Sequence, residues 1–173
     1  SRMKVGLCGY AQVGKDTCAA HMPGYQRWAF ADALKIDATA MLAAIGVTAD
    51  WADPAFKERW RPLLVALGAG MRATDPDYWI KRLIYQMVRK GVQAEDNVVI
   101  TDVRYPNEVQ WVLSKGGVVI RLERPGYCAA NIEEAHSFYD IDEKYPKLPI
   151  VINEGSPADM AGKVLFEIQR ARM

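Results

Sequence analysis

A three-layer α/β domain, with helices on both faces of a parallel sheet, is the fold the sequence predicts, and three observations predict it. Five short, nearly continuous apolar runs are spread along the chain in the manner of strands covered on both sides. Between them lie stretches with apolar residues at helical spacing, so strand and helix alternate and the crossovers are right-handed. The first run also leads straight into a glycine-bounded loop, Gly9-Tyr10-Ala11-Gln12-Val13-Gly14-Lys15-Asp16-Thr17, that opens a helix.

Each element has its own warrant. Lys4 to Cys8 is the first strand, and Lys15 to about Met22 the first helix, stopped by Pro23-Gly24. Tyr25 to Ala29 is a weaker strand, interrupted by Gln26 and Arg27. Leu34, Ala38, Met41, Leu42 and Ile45 recur at helical spacing from Phe30 to Gly46. A further helix runs from Pro54 to about Leu67, with Phe56, Trp60, Leu63, Leu64 and Leu67 facing inward. Asp75 as cap and Pro76 as first residue open the next, whose stripe is Ile80, Leu83, Ile84, Met87 and Val88. Asn97 to Thr101 is the third strand, and Pro106 opens a helix carrying Val109, Val112 and Leu113 to Gly116-Gly117. Val118 to Leu122 is the fourth strand. A polar stretch from Glu123 to about Lys147 follows, with a short helix expected around Asn131 to His136. Leu148 to Ile152 is the fifth strand, and Ser156, Pro157 and Asp159 write the cap of a last helix with Met160, Val164, Leu165 and Ile168 inward.

Composition narrows the function classes. At 173 residues, 50% apolar and 25% charged, the chain can bury the core of one domain. A formal net charge of +1 argues against a protein that coats a nucleic-acid polymer. No apolar run is long enough to span a bilayer, no signal peptide is expected ahead of Met3, and Ser1-Arg2 reads as a cloning remnant. Cys8, Cys18 and Cys128 are odd in number and lack metal-ligand spacing, which suits reduced thiols in a cytoplasm. His21 and His136 have no second ligand at a useful spacing, so a metal site built from side chains alone is not expected.

The loop carries the chemistry. Gly9, four residues, Gly14 and Lys15 have the spacing of a phosphate-binding loop, in which successive backbone N–H groups wrap a polyphosphate and the ammonium reaches its outer oxygens. The following helix turns its positive end to the same anion. Asp16 stands where a hydroxyl is usual, and Thr17 follows as the metal-directed hydroxyl. Asp16 either reaches the metal shell or caps the helix. In an open parallel sheet ligands sit beyond the carboxyl ends of the strands, which brings in Asp102 and Arg104 after the third strand. A carboxylate there can hold Mg²⁺ through water and a guanidinium can fork a second phosphate; the bland alternative is a strand-end cap and a surface ion pair.

Gly9 to Thr17, Phe30-Ala31-Asp32-Ala33-Leu34-Lys35, Asp102-Val103-Arg104-Tyr105-Pro106-Asn107-Glu108 and Ile152-Asn153-Glu154-Gly155 together resemble the deoxynucleoside monophosphate kinases known chiefly from bacteriophages. The likeness runs over nearly the whole chain in the right order, and departs from the family at Ala135-His136-Ser137-Phe138-Tyr139. It implies a P-loop kinase fold with strand order 2-3-1-4-5, ATP and Mg²⁺ as cofactors, and transfer of the γ-phosphoryl group to a dNMP of the dTMP or dGMP class. It also implies one kinase domain over 1–173, with a helical acceptor-binding region at 30–95 and a lid-like region at 123–147, working in the cytoplasm, that of the host if phage-encoded.

On that reading, the amides from Ala11 through Gln12, Val13 and Gly14 to Asp16 bind the β-phosphate, Lys15 bridges the transferred group, and Thr17 with Asp102 places Mg²⁺. Asp32, Lys35, Arg61, Arg72 and Arg104 are the acceptor-side candidates. Trp79 could stack on the acceptor base or belong to the core, and Asn107 and Glu108 could bond its sugar or simply fill a first helical turn. Arg121 and Arg124, at the end of the fourth strand, would enter from the flexible stretch as it closes and neutralise transition-state charge, and Asn153 to Pro157 would neighbour the adenine. The partners are small nucleotides, with neither nucleic-acid polymer nor membrane, and a homodimer stays open. Rival readings are another P-loop small-molecule kinase, of dephospho-coenzyme A or phosphomevalonate type, and a nucleotide-binding module without catalysis.

Overall fold

In a computed structural model, residues 3–173 are described; Ser1-Arg2, expected to be a cloning remnant, lies outside them. The chain falls into two compact units, Ser1–Ala29 with Gln93–Met173, and Phe30–Val92.

The first unit is the sheet. β1 (Lys4–Cys8), β2 (Gln26–Trp28), β3 (Val98–Ile100), β4 (Val118–Glu123) and β5 (Ile150–Ile152) pair in parallel in the order β2-β3-β1-β4-β5. This is the predicted order. Strand alternation sends Val5 and Leu7 to one face, where they pack with Val99, Ile120 and Leu122 under α1 (Lys15–Ala20) and α7 (Pro157–Ala171). Met160, Val164 and Ile168 close that face. On the other face lie α5 (Pro106–Ser114) and α6 (Ile132–Lys144), with Val109, Val112, Phe138 and Ile141 fully buried. Gly6 is required there, because a Cβ would stand 2.9 Å from a Val103 methyl.

The second unit is helical: α2 (Phe30–Ala44), α3 (Pro54–Thr74) and α4 (Tyr78–Arg89) pack on one another. Asp37 and Arg82 tie α2 to α4 through a forked pair at 2.6 and 3.1 Å. Several expectations are corrected here. α3 continues past Leu67 to Thr74, because neither Gly68 nor Gly70 leaves the helix, and Gly68 is the one buried residue of α3. Asp75 caps the end of α3 instead of the start of α4, which begins at Tyr78 after Asp75 Oδ1 accepts the Asp77 N–H. Met41, Ile45, Ile84 and Val88 are exposed; the buried stripe of α4 is Trp79, Ile80, Leu83, Gln86 and Met87. In the first unit, α6 is longer than the short helix expected, running 13 residues from its Asn131 cap.

Candidate active site

The β1–α1 loop is set by backbone constraint. Gly9 adopts φ 145° and its missing Cβ would lie 2.4 Å from the Leu122 carbonyl oxygen, so only glycine lets the chain leave β1 against β4. Gly14 caps α1 at φ 102°, and Gln12 between them also has positive φ, 68°. A non-glycine residue in that region is uncommon, and here it gives the loop a left-handed position between its two glycines. Val13 is buried and anchors the loop from below, while Asn153 donates its Nδ2 hydrogen to the Val13 carbonyl at 3.1 Å. In the structure Asn153, expected beside the adenine, braces this loop.

Lys15 is folded over this loop, its ammonium donating to the carbonyls of Gly9 at 2.5 Å and Tyr10 at 2.9 Å. Burial lowers its pKa, and Arg104 lowers it further, while Glu134, Cys8 and Asp102 push it back up. Lys15, Asp102, Arg104 and Glu134 thus share one electrostatic neighbourhood, fed by the ends of β1 and β3 and by the start of α6. Thr17 is exposed in the first turn of α1, and Asp102 is half-buried beyond β3. These two offer a hydroxyl and a carboxylate, oxygen donors of the kind Mg²⁺ takes. Among the described residues no group of three or more His, Cys, Asp or Glu forms a metal-binding set.

Asp16 makes a 2.9 Å ion pair with Arg27 of β2. Burial by itself would raise its carboxyl, but hydrogen bonds from Thr101 and Arg27 outweigh this and hold it below the usual range. Arg104 is exposed, and its backbone N–H, with that of Tyr105, donates to Glu108 Oε1 at 2.8 and 3.0 Å. Glu108 is buried and binds the first turn of α5; Asn107 beside it is half-buried.

Arg121 lies near the end of β4, as expected, but its side chain is buried there instead of entering with the stretch that follows. Its guanidinium pairs with Asp142 at 2.7 Å and lies 5.3 Å from the Tyr10 ring and 5.1 Å from the Phe138 ring, joining the loop to α6. Arg124 is exposed just beyond, stacked 4.5 Å over Tyr127 with Nη1 3.5 Å from the Gln12 carbonyl. Tyr10, Arg121, Arg124, Tyr127 and Ile152 line a cavity of about 360 Å³ beside the loop.

In the helical unit, Asp32 and Lys35 are half-buried in the first turns of α2, and Arg72 is half-buried in the last turn of α3. Arg61 is exposed and paired with Glu58 at 3.0 Å. Trp79 is buried, its indole N–H donating to the Gly68 carbonyl at 3.0 Å and its ring edge-on to Tyr78, a packing position. Sequence reasoning missed Glu134, whose Oε1 accepts the Ala11 N–H at 3.1 Å, and Arg27 and Asp142, which pair with Asp16 and Arg121. Only Glu134 had a local signal, its place three residues after the Asn131 cap.

No family model matches the chain. Two proteins of Ictalurid herpesvirus 1 (strain Auburn) are similar in sequence: ORF77, 28% identical over 111 residues, and ORF76, 29% identical over 101. The matches cover 64% and 57% of this chain but 49% and 42% of theirs, so the chain spans about half the length of the curated relatives it matches, or less. Among solved structures, a dephospho-CoA kinase from Campylobacter jejuni superposes over 100% of both chains at a TM-score of 0.54 and 16% identity. A sugar kinase from Janibacter sp. HTCC2649 superposes over 99% of this chain and 98% of its own, at 0.50 and 13%. The fold is that of the P-loop kinases.

Proposed function

We propose that the chain is a small-molecule kinase that moves the γ-phosphoryl group of ATP onto the phosphate of a deoxynucleoside monophosphate of the dTMP or dGMP class. The observation that carries this is the Gly9–Thr17 loop, with Lys15 held over its carbonyls and Asp102 and Arg104 in the same electrostatic neighbourhood. A phosphate oxygen of the acceptor forms a bond to the γ-phosphorus as the bond to the β–γ bridging oxygen breaks, and ADP leaves with that electron pair. The transition state is loose and its charge sits on peripheral oxygens, so catalysis is a matter of positioned cations and N–H donors.

Each part of the chain has a task in that scheme. The amides from Ala11 to Asp16 take the β-phosphate, Lys15 follows the transferred group, and Arg104 holds the acceptor phosphate with Lys35, Arg61 and Arg72 as further candidates. Asp32, Asn107, Glu108 and Trp79 are the remaining acceptor-side candidates, and a donor-side role for Arg124 is supported by its approach to the Gln12 carbonyl. Mg²⁺, when bound with the triphosphate, would neutralise its oxygens, and Thr17 and Asp102 are the residues fitted to hold it.

The test is ADP release across a panel of dNMPs, dephospho-coenzyme A and phosphorylated small alcohols, run beside Lys15→Ala. A dNMP should stimulate release, and the variant should lose turnover by about two orders of magnitude or more with its circular dichroism unchanged. A dNMP-independent rate, or wild-type turnover in the variant, removes the proposal. The specific rival is dephospho-coenzyme A as acceptor, favoured by the full-length superposition on a kinase with that substrate in its name; its stimulation in the same panel would select it.

A further inference from the structure

The phosphate loop already holds an anion, and it belongs to the protein. Glu134 is only 9% exposed, and its Oε1 accepts the Ala11 N–H at 3.1 Å and the Ala130 N–H at 3.1 Å. Ala11 lies 123 positions away along the chain and is among the amides that a polyphosphate should claim. A buried carboxylate with no charge partner nearby is expensive, and the Lys15 ammonium, whose own pKa Glu134 pushes up, supplies the opposite charge. Its own helix adds to the hold: the Asn131 side chain accepts the Glu134 N–H at 2.8 Å and so fixes the first turn of α6.

We infer that Glu134 is an internal latch on the phosphate loop, a carboxylate that occupies the Ala11 amide while the loop is empty and is displaced when a polyphosphate binds. This rests on the nucleotide-binding part of the proposed function and is independent of the acceptor. Two anions cannot share one amide and one ammonium without repulsion that the buried setting makes large. The helix itself need not move, because Phe138 and Ile141 are 1% and 0% exposed and Asp142 is paired with Arg121. What is released is the carboxylate together with the residues ahead of α6, since Ala130 loses its acceptor in the same step. Polyphosphate binding is thereby coupled to the freedom of the 124–131 segment, which carries Arg124 and Tyr127.

Titration calorimetry with pyrophosphate and with ADP, on the wild-type chain and on Glu134→Gln, tests this. The glutamine keeps an acceptor for both amides but brings no charge, and it should bind both ligands roughly fivefold more tightly as the repulsion is lost. Equal or weaker binding by Glu134→Gln overturns the latch. Hydrogen exchange on the unaltered protein gives a second readout that does not depend on the variant's folding. The Ala130 amide should exchange faster at saturating pyrophosphate, and retained protection there overturns the latch as well. Failure of the wild-type chain to bind either ligand would remove both the latch and the nucleotide reading, whereas binding without acceptor-dependent turnover would remove only the kinase reading.

Discussion

One residue before the phosphate loop begins, β1 buries a thiol completely: Cys8 is 0% exposed. Burial pushes its pKa up to about 12, against a smaller opposite pull from Arg121 and Lys15, and burial takes Cys18 to about 11. Both thiols therefore stay protonated in the folded chain at pH values where an unfolded one ionises. Their contribution to stability is complete below about pH 9 and is lost as pH rises through the folded values, because only the unfolded state releases the protons in between. Urea midpoints should fall from pH 8 to pH 10.5, and fall less in a Cys8→Ala/Cys18→Ala double variant. Equal slopes for the two proteins would show that the thiols do not titrate as stated. Iodoacetamide at pH 8 should label Cys128, which is exposed, and leave the other two until the chain unfolds.

Among the elements, α7 was legible to the residue and α6 was not, and the difference is physical. Ser156, Pro157 and Asp159 state a helix start in four positions, and in the structure Ser156 Oγ accepts the Asp159 N–H while Asp159 Oδ2 accepts the Ser156 N–H, each at 3.1 Å. The buried face of α6 includes Glu134 and Ser137, so its stripe looks polar until the partners in the phosphate loop are known. The start of α4 was misplaced for a related reason. Asp75-Pro76 has the chemistry of a helix opening, yet Asp75 closes the Met71 carbonyl of α3 and brings Lys81 to its side chain at 2.7 Å. A prediction at this scale follows from the α7 cap. Ser156→Ala should cost about 1 kcal/mol and lower the melting temperature by about 2–4 °C. A melting temperature equal to the wild type's would show that the cap is idle.

At the scale of the molecule, the strand order and the phosphate loop could be anticipated from local pattern and family likeness, whereas the pairings around the loop could not. Ala11 to Glu134 and Val13 to Asn153 span 123 and 140 positions, and no periodicity encodes a hydrogen bond of that reach. The two units offer a way to separate donor from acceptor binding. Every residue assigned to the polyphosphate, from Ala11 to Thr17 with Asp102, lies in the sheet unit, and Lys35, Arg61 and Arg72 lie in the helical unit Phe30–Val92. A ligand stabilises what it contacts, by about 2.7 kcal/mol at one hundred times its dissociation constant. Amides that exchange by local opening should therefore report which unit each ligand touches. Saturating ADP should slow exchange in the loop and α1, outside the released 124–131 segment, and leave α2 to α4 as they were. Adding a dNMP to that complex should then protect the first turn of α2 around Lys35 and the end of α3 around Arg72. If the dNMP protects neither, the helical unit does not bind the acceptor, and Lys35, Arg61 and Arg72 serve the bundle itself.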